Sequence, residues 1–92
     1  MAKINKMTDN YITHNFAIWI IMTMFDELGR ELLKSGDGEK HRRLAKVFYR
    51  RIERQLFPHM TDEDKQYVKE SCSFEFDYIK MIATCENVYD VI

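Results

Sequence analysis

Seven cations crowd one short stretch of the chain: Lys40, Arg42, Arg43, Lys46, Arg50, Arg51 and Arg54. They are half of the 14 Lys and Arg residues in the sequence. Only Glu39 and Glu53 oppose them between residues 38 and 60, which leaves that segment a surplus of five positive charges. Arg43, Lys46, Arg50 and Arg54 recur at spacings of three and four, so on a helix they share one face. Five of the seven are Arg, whose planar fork of donors matches a carboxylate or a phosphate two bonds at a time. Tyr49 lies beside the array, where its ring could stack on a base. The chemistry open to this face is anion recognition. The anion would be an acidic protein surface or, in a second reading, nucleic acid or a nucleotide ligand. The competing explanation is charge balance inside the fold. Residues 61–92 carry eight acids against Lys65, Lys69 and Lys80, and exposed ion pairs stabilise by only about 0 to 1 kcal/mol each.

Other reactive side chains are scattered. His14, His41 and His59 have no second His or Cys three or four residues away, so no metal site is expected. His41 is expected to extend the basic face, His59 to sit in a turn after Pro58, and His14 to be a core residue. Cys72 and Cys85 lack CxxC spacing and read as buried apolar residues in a reducing compartment, without a disulfide. Gly36-Asp-Gly38 has neither the spacing nor the Lys-Ser/Thr of a phosphate loop. Ser35, Ser71 and Ser73 have no nucleophile-elbow context. No catalytic residues and no cofactor are expected, and the chain reads as a non-enzyme.

The elements that position these residues read as helical. The 92 residues suit one domain, with 46% hydrophobic content, one Pro and three Gly; so few turn formers argue against a β fold. Residues 1–7 are expected as a flexible arm. A first helix is expected over about 9–35, capped by Thr8 or Asn10, with Ile18, Ile21, Phe25, Leu28 and Leu32 facing inward and Gly36 ending it. Gly29 inside it suggests close packing against another helix. A second, basic helix is expected over 39–57, capped by Asp37 and stopped by Pro58, with Leu44, Val47, Phe48, Ile52 and Leu56 inward. A third is expected over 62–87, capped by Thr61, with a possible break near Ser71–Ser73. Its polar stripe is Glu70, Ser73, Asp77, Lys80, Thr84 and Asn87. Its apolar stripe is Tyr67, Ser71, Phe74, Tyr78, Met81, Cys85 and Tyr89. The apolar tail 88–92 is expected to dock.

The fold expectation is therefore an all-α, three-helix domain with two long helices flanking the basic one. The run Phe16–Phe25 is too short to span a membrane, which takes about 20 residues, and no signal-peptide cleavage site follows Lys3 and Lys6. A cytoplasmic location is expected. Phe16, Trp19 and Ile20 carry the apolar surface of the first helix well round its circumference. They are the expected contacts of an interlocked homo-oligomer. The expected role is a regulator, inhibitor or adaptor that binds an acidic protein partner through Arg42, Arg43, Lys46, Tyr49, Arg50 and Arg54. A structural subunit of a larger assembly is a further alternative.

Overall fold

The computed structural model describes residues 11–84. Among them are four α-helices and no strand: α1 (His14–Ser35), α2 (Gly38–Arg51), α3 (Asp62–Ser71) and α4 (Ser73–Thr84). The all-α expectation holds, with the third expected helix divided in two. The arm 1–7, the caps Thr8 and Asn10, Cys85, Asn87, Tyr89 and the tail 88–92 lie outside the described residues.

Local chemistry explains most of the helix ends. Thr13 caps α1 in an extended conformation, its hydroxyl accepting from the Phe16 N–H at 3.2 Å. This replaces the start expected near residue 9. The reason is tertiary: the Ile12 N–H donates to the His59 carbonyl at 2.9 Å, which ties down the residue just before the cap. Gly36 ends α1 at φ 63°, in the left-handed region that favours glycine, with its N–H on the Leu32 carbonyl. Asp37 caps α2 by accepting from the N–H groups of Glu39 and Lys40, and Thr61 caps α3 by accepting from Asp64. The acids Asp62, Glu63 and Asp64 fill the first turn of α3, where negative charge suits the dipole.

Pro58 does not end the second helix at Phe57. After Arg51 the chain makes a π-helical turn, Ile52–Leu56, and then a 3-10 turn, Phe57–His59, that holds Pro58 near its start. Phe57 keeps helical angles, φ −61° and ψ −36°, although it precedes a proline. The wider π turn rotates Leu56 and Phe57 inward together, and both are buried with Ile52 and Met60. That burial outweighs the local preference of the residue before proline.

The break between α3 and α4 falls at Cys72, which leaves the helical region at φ −125°, ψ 45°. This is where the sequence placed it. The core face is not the expected one, however. Val68, Cys72, Phe76, Ile79, Ile82 and Ala83 are buried, whereas Tyr67, Ser71, Phe74 and Met81 are exposed. The buried set is purely apolar, and it won over a neighbouring stripe that mixed tyrosine and serine with apolar types. The polar stripe from Glu70 to Thr84 is exposed as expected.

One core joins all the elements, with Ala17, Ile21 and Leu28 from α1 and Ala45 and Phe48 from α2. Helix α1 lies against α2, α3 and α4. His41 is buried in this core at 5% exposure instead of extending the basic face. One ring nitrogen meets the Leu28 carbonyl at 3.0 Å and the other the Tyr78 hydroxyl at 2.7 Å. His14 is only half-buried and reaches Asp64 at 3.2 Å. Gly29 touches no other helix, since a Cβ there would meet nothing within 4 Å.

Candidate functional site

The core face of α2 and the π turn after it, made by His41, Ala45, Phe48 and Ile52, divides the expected binding residues into two groups. Arg42, Lys46 and Tyr49 lie on one flank and are half-buried. Arg43, Arg50 and Arg54 point outward and are exposed. The expected binding residues therefore share a helix but not one open surface.

On the half-buried flank Arg42 and Tyr49 are engaged within the fold. Arg42 pairs with Glu39 one turn back, at 3.6 Å. The Tyr49 ring packs 6.2 Å from that of Phe76 on α4. Burial, the nearby charge of Glu53 and a hydrogen bond to it all raise the Tyr49 pKa. The Tyr49 ring is thus partly covered by the fold.

The outward cations stand apart from the acids. Among the described residues Arg43, Arg50, Arg51 and Arg54 make no ion pair, and neither does Lys46. Among the described residues, no acid of α3 or α4 pairs with them. The cations of α2 instead border a surface shared with α1. A groove of about 570 Å³ runs between the helices, with Glu27 and Glu31 on one wall and Lys40, Arg43, Leu44 and Val47 on the other. A second groove of about 190 Å³ continues it through Trp19, Ile20, Thr23, Met24, Phe48 and Arg51, sharing Glu27. The two features that stood apart in the sequence, the apolar run of the first helix and the basic helix, thus meet on one face.

At the apolar end of this face Trp19 is 62% exposed. Phe16 stacks beside it, with ring centroids 6.2 Å apart and planes 29° from parallel. Ile20 is half-buried and packs on the core. Val47, expected in the core, is 42% exposed. It lies one flank round from the buried residues, where it forms part of the groove wall. Lys40, Leu44, Val47 and Arg51 are the groove residues that the reading of a single basic stripe missed. Their spacing of four, three and four was a usable signal, because it runs parallel to the core stripe of α2.

This arrangement places exposed apolar side chains beside guanidinium groups that make no ion pair among the described residues. Among the described residues no three of His, Cys, Asp and Glu are grouped to hold a metal ion, and no helix is long and apolar enough to cross a membrane. No protein-family model, curated protein or solved structure shows a significant match to this chain.

Proposed function

We propose that this chain is a small non-enzymatic interaction protein, a regulator, inhibitor or adaptor, that binds an acidic amphipathic segment of a protein partner along the α1/α2 face. One observation carries the reading. Exposed Trp19 and Val47 share a groove system with Arg43 and Arg51, and Arg50 and Arg54 stand exposed on α2 and the π turn after it, all four cations lacking an ion pair among the described residues. Aromatic and arginine side chains around an apolar depression are the usual anchors of a protein interface. Unpaired cations at its rim would steer an acidic partner and fix its orientation. Phe16, Trp19 and Ile20, expected from the sequence to face a second copy, border this surface, and we assign them to it.

The same cations suit phosphate, so nucleic acid is the second reading. The test compares the wild type with a triple variant, Arg43→Gln, Arg50→Gln and Arg51→Gln, in affinity purification from the native cell with nuclease present. A protein partner that survives nuclease should be retained by the wild type and lost by the variant, whose melting temperature stays close to wild type. Loss of the wild-type partner on nuclease treatment would favour nucleic acid. Full binding by a folded triple variant would place the functional surface elsewhere.

A further inference from the structure

A second open face lies on α1, away from the cations of α2. Phe25, Asp26, Gly29, Arg30 and Leu33 line a groove of about 400 Å³. Leu33 is 89% exposed, an extreme value for a large apolar side chain, and Phe74, whose ring meets Phe25 edge-on at 5.6 Å, is 69% exposed. Gly29 is in the middle of this face. A glycine inside a helix costs about 1 kcal/mol relative to alanine. Nothing among the described residues calls for it, because a Cβ there would meet no atom within 4 Å. What glycine offers at such a position is close approach of another backbone.

The residues around Gly29 are arranged to complement themselves. When two copies of α1 cross antiparallel at Gly29, each residue before the crossing meets the one equally far beyond it on the other copy. Phe25 precedes Gly29 by four residues and Leu33 follows it by four. Each Phe25 ring would therefore cover the Leu33 of the other copy, one turn from the crossing point. Asp26 and Arg30 flank the glycine with opposite charge, and Asp26 makes no ion pair among the described residues. In the antiparallel arrangement the Asp26 of one copy comes within a turn of the Arg30 of the other, and the pair occurs twice. A two-fold contact requires such a self-complementary patch.

We propose that the Gly29 face of α1 is a homodimer interface, occupied by the same face of a second copy in an antiparallel crossing centred on Gly29. The proposal uses none of the cations of the partner-binding face and stands independently of that reading.

Sedimentation velocity on the full chain, from micromolar to near-millimolar concentration, tests it. The wild type should show a monomer–dimer equilibrium. Leu33→Glu should weaken dimerisation about tenfold or more, with the helical signal and the dilute melting temperature unchanged, because Leu33 belongs to no core. Asp26→Arg should weaken it too, and adding Arg30→Asp should restore it. Trp19→Asp should leave the dimer intact. In a chain with Cys72→Ala and Cys85→Ala, Gly29→Cys should form an intermolecular disulfide on mild oxidation, and exposed Gln55→Cys should not. A wild type that stays monomeric throughout, or a dimer indifferent to Leu33→Glu and to the charge swap, would overturn the proposal.

Discussion

Tyr78 sets its hydroxyl 2.7 Å from Nε2 of His41, across 37 residues of sequence. The other imidazole nitrogen faces the Leu28 carbonyl at 3.0 Å. A carbonyl only accepts, so Nδ1 donates to it; in the neutral ring Nε2 is then the acceptor for the tyrosine. One buried side chain thereby links α1, α2 and α4 with both ring nitrogens satisfied.

Tyr78→Phe should therefore destabilise the fold by about 1 to 3 kcal/mol, the cost of leaving a buried polar atom without a partner. Urea unfolding measures it. A change of only a few tenths would mean that water takes the place of the hydroxyl.

Trp19 and Ile21 are near neighbours on α1 with opposite surroundings, one 62% exposed and the other fully buried. Ile21→Ala should cost about 2 to 5 kcal/mol through lost burial and a cavity. Trp19→Ala should stay within about 0.5 kcal/mol of wild type while abolishing partner binding. A paired melting experiment separates the two effects, and strong destabilisation by Trp19→Ala would make that residue structural.

Gly36 holds φ 63° at the end of α1. Gly36→Ala should lower stability by about 1 to 2 kcal/mol, because a Cβ strains the left-handed region. Thermal unfolding of this variant beside Gly29→Ala makes the contrast direct. At dilution, where chains are monomeric, Gly29→Ala should raise the melting temperature, since the added methyl meets open space.

Burial, with a smaller contribution from the charge of Glu75, pushes the Cys72 thiol up to about 11 from its ordinary value of 9.0. The unfolded chain therefore ionises first. Stability from this group is fully present below pH 9 and is lost as pH rises through about 11. Urea midpoints should fall across that window, and Cys72→Ala should make the fall shallower. The burial-raised Tyr78 adds a decline of the same sign above pH 10, which the cysteine substitution leaves in place.

The sequence by itself determined what depends on neighbours within a few residues. The caps Asp37 and Thr61 and the stop at Gly36 follow from hydrogen bonds that close inside one turn. The division near Cys72 was also visible, because polar and apolar residues alternate there against the helical period. The outward direction of Arg43, Arg50 and Arg54 follows from the period of α2 alone. The tertiary structure decided what depends on contacts between distant segments. His41 resembles its basic neighbours in the sequence, yet Leu28 and Tyr78 draw it into the core. The start of α1 shifted to Thr13, where His59, far along the chain, holds the preceding Ile12 N–H. Val47 left the expected core and joined Trp19 in a shared groove system because the rotation of α2 against α1 is set by the buried residues of four helices packing together. Helical periodicity places a residue on a face, but the neighbour which that face meets is chosen only when the helices pack.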